Sequence, residues 1–207
     1  MKKYEFTGET KEIKLLFRTA VLHRIRATVS FGFVKIGDLG GWIEKEENLS
    51  HEGKAWVCGD AKVCGDAEVW GNAEVCGDAK VCGDAKVCGD AKVWGNAKVC
   101  GDAKVCGDAK VCGDAEVWGN AKVFSASHVL VIGAIGSRND FTTFYRDKDN
   151  EITVKCGCFL GKIDRFLEKV TQTHGDSKYA LVYRAAVEVA KLQIDLLGEA
   201  PKDADEE

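Results

Sequence analysis

The 207-residue sequence has no long apolar run, no excess of basic charge and, in its repeated part, no histidine. Each absence removes a class of protein. The first twenty residues mix Lys, Glu and Thr with short apolar stretches. They therefore lack a signal-peptide core and the span of about 20 apolar residues that a membrane helix needs. The expectation is a cytoplasmic protein without a membrane partner. A formal charge of −4 and a pI near 5.7 give no basic surface for a nucleic acid. Proline occurs once, at Pro201, beyond the last predicted helix.

Cysteine, by contrast, is abundant: ten residues, eight of them at one position of a repeat. That placement is the mark of duplication and not of a disulfide framework, and a reducing cytosol is expected to keep the thiols free.

The repeat runs from Ala55 to Val123 as Ala-x-Val-(Cys/Trp)-Gly-(Asp/Asn), twelve times without an insertion. Residues two apart on a strand share a face. Ala61 and Val63 therefore point one way, and Lys62 and Cys64 the other. The apolar pair must face inward. Gly65 and Asp66 make the corner, since Gly accepts positive φ and Asp bonds neighbouring backbone. Three such strands close a triangular coil of 18 residues, and twelve hexads give four coils stacked about 4.8 Å apart. No coil buries its own edges, so both ends of the stack need caps.

This pattern resembles the hexapeptide-repeat superfamily, whose fold is a left-handed parallel β-helix. The handedness comes from the resemblance alone. The stretch GDLGGWIEKEENLS (residues 37–50) ahead of VxGDAxV and VxGNAxV units is similar to a group of bacterial and bacteriophage hexapeptide proteins, some described as transferases. The likeness covers residues 30–124 and implies a phage- or prophage-related protein and an oligomer, with a trimer as the superfamily's common form.

Outside the prism the sequence displays Lys or Glu before each Val and Cys or Trp after it. Trp70, Trp94 and Trp118 mark a copied unit of 24 residues. Because 24 is not a multiple of 18, each Trp falls on a different face. The cysteine columns are then 58–76–112 interrupted by Trp94, 64–82–100 ending in Trp118, and 88–106 between Trp70 and Phe124. Such a row is a poor zinc site, because its side chains run parallel and do not converge as a tetrahedral metal requires. Parallel Cβ vectors are also expected to stand too far apart for a relaxed disulfide. Neither a metal nor a cofactor is predicted.

Transferases of the superfamily use a His base beside a loop extruded from a coil. Here the four histidines, His23, His51, His128 and His174, all lie outside the repeats. A non-enzymatic protein is expected, and no residue is expected to be catalytic. A group transferase with an intersubunit site at His51 or His128 is the alternative.

Residues 1–54 read as strands and a capping coil, with Lys14 to Phe17 and Val21 to Val29 alternating and with Leu39, Trp42 and Ile43 available to plug the prism. Beyond Phe124 the period changes. Residues 128–135, 140–146 and 151–156 read as strands. Ile163, Phe166, Leu167 and Val170 fall on one face of a helix over 162–173. A second helix starts after Asp176 or Ser177 and ends before Gly198 and Pro201. The fold class is thus mainly β: prism 55–124, a small α+β unit 125–200, and an acidic disordered tail 201–207.

Two features of the α+β unit could carry chemistry. The stretch Gly133-Ala-Ile-Gly136-Ser137-Arg138 groups two glycines, a hydroxyl and a guanidinium, as a phosphate-binding turn would, which makes Ser137 and Arg138 the candidate ligand-binding residues. Cys156 and Cys158 share one side of a strand end. The function expected is a non-enzymatic binding or scaffold protein, with the prism as spacer and the C-terminal unit for recognition or self-association. A third reading is sequestration of a host protein or a small nucleotide signal.

Overall fold

The computed structural model describes residues 2–15 and 18–197. Phe17, Gly198, Pro201 and the acidic tail lie outside them, and with them the predicted helix stop and the end of the first predicted strand.

The repeats and the coil before them form a three-sided β-solenoid of about five turns, four of them from the twelve hexads. Counting strands in chain order, β1 (Tyr4–Lys14), β2 (Thr19–Ala27) and β3 (Leu39–Ile43) precede twelve short rungs, β4 to β15, from Trp56–Val57 to Lys122–Val123. Each rung pairs in parallel with the rung 18 residues away: Val63 with Val81, Val81 with Val99, Val99 with Val117. The other two faces repeat this with Val57, Val75, Val93 and Val111 and with Val69, Val87, Val105 and Val123. Every Ala and Val of the repeat is buried. At about 1.5–3 kcal/mol of gross burial free energy per Val, the column of valines supplies much of the drive to stack.

Some charges on the outside are matched one coil apart, while Lys62, Lys80 and Lys98 and likewise Lys86, Lys104 and Lys122 stack like on like. Lys92 meets Glu74 at 3.1 Å and Lys98 meets Glu116 at 2.7 Å. The Asn of the Trp-bearing hexads has a role at the corners. Asn72 and Asn96 each donate Nδ2–H to the Asp of the next coil, Asp90 and Asp114, at 3.0 Å. An Asp in their place would set two carboxylates against each other.

At the first end β1 and β2 form an antiparallel hairpin, β2 pairs with β3, and β3 joins the rung Lys62–Val63 in parallel. Two expectations are corrected here. The hairpin is longer than the alternation predicted, and the plug is not Leu39, Trp42 and Ile43. Only Ile43 enters the prism. Leu39 is exposed, and Trp42 lies outside against Ala20, Leu22 and Cys64. Tyr4, Ile25 and Trp56 close the end instead. The Tyr4 hydroxyl hydrogen-bonds the carbonyls of Glu46 and Leu49 at 2.9 Å.

At the second end β16 (Val129–Ile135), β17 (Asp140–Arg146), β18 (Ile152–Cys156) and β19 (Phe159–Lys162) make an antiparallel meander, followed by α1 (Ile163–His174) and α2 (Lys178–Gln193). β19 was not foreseen. Strand alternation divides the sheet's work: Val129, Val131 and Tyr145 pack on the prism core, while Leu130, Ile132 and Phe144 face the helices. Thr143 Oγ1 accepts the Glu116 N–H at 3.0 Å, and the Tyr145 hydroxyl donates to the Trp118 carbonyl at 2.9 Å. Side chains thus stand in for the missing next rung, and the α+β unit is also the cap. No helix among the described residues is long and apolar enough to cross a membrane.

Candidate functional site

The predicted ligand residues lie on a cleft of the C-terminal unit. The chain turns after β16 through Gly136, Ser137, Arg138 and Asn139, and this turn faces β18, β19 and α1 across a space of about 390 Å³. That volume is within the range of small-molecule sites. Its floor is apolar, formed by Phe159, Phe166, Val170 and Tyr183. Its rim carries Ser137, Arg138, Lys169 and His174, and one carboxylate, Asp140. Gly136 is required where it stands: its φ is +74°, and a Cβ there would run into the Tyr183 ring and hydroxyl.

Tyr183 anchors the floor. It stands edge-on to Phe166 at 5.5 Å and stacks on His174 at 5.8 Å. Burial, with the Cys156 thiol beside it, pushes its hydroxyl up to about 12, so it stays protonated at neutral pH. Cys156 lies within 3.3 Å of the Thr142 hydroxyl and 3.9 Å of the Tyr183 hydroxyl. Cys158 is exposed, and the two thiols are free. Among the described residues neither Arg138 nor Lys169 has an ion-pair partner. The sequence singled out Ser137 and Arg138. It missed Lys169, His174 and Tyr183, whose helical spacing reads equally well as packing.

The histidines flanking the repeats act as ties. His51 Nδ1 accepts the Lys3 N–H at 3.1 Å, and the ring stacks on Tyr4 at 4.3 Å. His128 Nδ1 accepts the Phe124 N–H at 3.1 Å. Burial lowers both rings below the usual imidazole value; at His51 the attraction of Glu46 opposes this, and at His128 the Arg146 charge adds to it. The lowered values favour the neutral rings at pH 7, and in each the Nδ1 lone pair is taken by a backbone N–H. A general base needs that lone pair aimed at the substrate.

The first coil also departs from the regular repeat. Ile43 pairs with Val63 and Leu49 with Val69, both 20 residues apart, while Val57 pairs with Val75, 18 apart. Two extra residues thus fall between Leu49 and Val57, at the corner that carries His51. The repeat run has no insertion, but the coil before it does. Lys3 fills this corner. It donates to the Ala55 carbonyl at 2.8 Å, and burial lowers its ammonium to about 8.

The cysteine columns fall as predicted, but their chemistry differs. Cys58 is bonded to Cys76 and Cys88 to Cys106. The Cα separations, 4.7 and 4.5 Å, lie within the range disulfides use, about 4.4–6.8 Å. Adjacent rungs are therefore close enough, contrary to the expectation of reduced thiols. Several sulfurs are also buried where surface positions were expected. Cys88 and Cys106 pack with Phe124 and Trp70, and Cys64 lies under Trp42.

Comparison with models of known protein families and with curated protein sequences finds no match to this chain.

Proposed function

We propose that the protein is a non-enzymatic scaffold and binding protein that associates with copies of itself through α2, with the solenoid as rigid spacer between that helix and the N-terminal hairpin. One observation carries this reading: α2 is apolar on two sides. Ala180, Tyr183, Val187 and Ala190 pack on the sheet, while Leu181, Val182, Ala185, Val189 and Leu192 point outward. Leu181 is 58% exposed, Val189 49% and Leu192 89%. Residues 181, 185, 189 and 192 follow helical spacing, so they form a stripe and not scattered surface residues. A helix apolar on both faces belongs in an interior, and a second copy supplies it.

The likeness of residues 30–124 to bacterial and bacteriophage hexapeptide proteins supports a closed symmetric assembly, with three copies as its model, and a phage or prophage setting. Sedimentation velocity at micromolar concentration is expected to give an oligomer for the wild-type chain. Leu181→Glu combined with Val189→Glu is expected to give a monomer with an unchanged far-ultraviolet spectrum. A monomeric wild type sinks the proposal.

The cleft favours a second role for the same unit, binding without conversion. Arg138 and Lys169, two cations against the single carboxylate of Asp140, over an aromatic floor fit an anion that carries an apolar ring, which includes a small nucleotide. Native mass spectrometry of the purified protein is expected to find such a molecule retained, and Arg138→Ala is expected to weaken its binding roughly tenfold or more. A wild-type chain that emerges empty and binds none of the common nucleotides counts against this role.

A further inference from the structure

The mismatch between a copied unit of 24 residues and a coil of 18 distributes cysteines unevenly. Trp94 separates Cys76 from Cys112 on one face, and Trp70 and Phe124 flank the Cys88–Cys106 pair on another. Only the face of β5 (Lys62–Val63), β8 (Lys80–Gly83) and β11 (Lys98–Gly101) receives three cysteines in consecutive rungs: Cys64, Cys82 and Cys100. Adjacent cysteines on the other two faces are bonded, and these three are free.

The three are not equivalent. Cys64 is 2% and Cys100 8% exposed, whereas Cys82 is partly open. Cys64 lies beneath Ala20, Leu22 and Trp42. The indole is held there by its Nε1–H donating to Asp60 at 3.2 Å. Cys82 and Cys100 have their sulfurs 2.7 Å apart. Hydrogen bonds from the Cys100 and Cys64 sulfhydryls hold Cys82 well below the usual thiol range, and burial adds to those same bonds in raising both neighbours. Its central place in the column and its greater exposure make Cys82 the thiol a small oxidant reaches first, with a neighbouring thiol on either side.

We propose that this column is a thiol oxidation site, in which a small hydroperoxide oxidises Cys82 and either Cys64 or Cys100 closes a disulfide onto it. In the first step the Cys82 thiolate attacks the terminal peroxide oxygen and the O–O bond breaks. Cys82 becomes a sulfenic acid, and the departing oxygen takes a proton and leaves as water or an alcohol. In the second step a neighbouring sulfur attacks the Cys82 sulfur and the S–O bond breaks. The hydroxide released takes the proton of the attacking thiol and leaves as water. Two thiols lose two electrons to one peroxide. The third thiol can then attack Cys82 from the other side and release the first partner, so the bond can move along the column without further oxidant.

Tryptic peptides cannot locate this chemistry, because residues 81–86, 87–92, 99–104 and 105–110 all read VCGDAK. The test is intact-mass spectrometry of the full chain with its two disulfides in place, treated with one equivalent of hydrogen peroxide, with and without dimedone. Wild type is expected to lose the mass of two hydrogens and to take up no dimedone. Cys64→Ser and Cys100→Ser are each expected to close the bond with the neighbour that remains. The double variant is expected to trap one dimedone, since nothing in the column resolves the sulfenic acid. Cys82→Ser is expected to form no third disulfide and to oxidise roughly tenfold more slowly or less. A wild-type chain that already carries the third disulfide when purified, absent in Cys82→Ser, supports the same site. A third disulfide at the wild-type rate in Cys82→Ser overturns the proposal, and so does a double variant without an adduct. If Cys82→Ser fails to fold, the double variant decides alone.

Discussion

Asp147→Ala is expected to lower stability by about 3 kcal/mol, the order of cost when one member of a buried charged network is removed. The carboxylate is 1% exposed and sits at the joint between prism and sheet, where Ala121 bridges to Asp147. It accepts the Thr153 hydroxyl at 2.6 Å, the Asp149 N–H at 3.0 Å and the Glu151 N–H at 3.2 Å, and it pairs with Lys162. Burial by itself would raise its pKa, but the bonds from Lys162, Thr153 and the two amides outweigh that and hold it below the usual carboxylate range. A depressed folded value stabilises the protein above the unfolded pKa, about 3.9, and that contribution is lost as pH falls through the folded value. Denaturation in urea at pH 7 and again near pH 3 checks both statements. The deficit of the variant should shrink on the acid side, and a deficit independent of pH would assign the effect to packing alone.

Gly89→Ala is expected to cost about 3 kcal/mol, and Gly113→Ala about 1 kcal/mol. Both positions have φ near +65°, so both exact the left-handed cost for a residue with a Cβ. They differ in what lies above. A Cβ on Gly89 would sit 2.9 Å from the Gly107 nitrogen, in a ladder fixed by hydrogen bonds on both sides, whereas one on Gly113 meets nothing within 4 Å. The difference between the two variants isolates the cost of forcing coils apart, and thermal melts of both read it directly. Equal losses would mean that the stack yields at its corners.

Most of the prism could be read from residues because its two signals agree. Ala and Val alternate with Lys and Cys, and Gly-Asp recurs at fixed spacing, so one local rule sets face, corner and register together. The N-terminal hairpin was only half legible. β1 spends most of its length on Thr, Glu and Lys, and its inward residues are as few as Tyr4, Phe6 and Ile13. β19 is four residues with a Gly inside, too short for a period. The disulfides were missed because column spacing was judged too wide, whereas the rungs carrying Cys88 and Cys106 approach to 4.5 Å between Cα atoms. Burial of outward positions could not be read at all, since it depends on what folds back over them: Trp42 over Cys64, Phe124 over Cys88 and Cys106. In the cleft, Ser137 and Arg138 stood out as a turn with a charge. Lys169 and His174 reach it only because α1 returns across the sheet.

The unequal lengths of copy and coil also fix an orientation. Inserting or deleting one copied unit would shift the C-terminal unit by about 6 Å along the prism axis and turn it by about 120° about that axis. The outward stripe of α2 would then aim at a different side relative to the β1–β2 hairpin, and only three such events would bring it round again. In a lineage that gains or loses repeats by slippage, reach and azimuth change together, so an assembly built through α2 tolerates triplet changes in length far better than single ones.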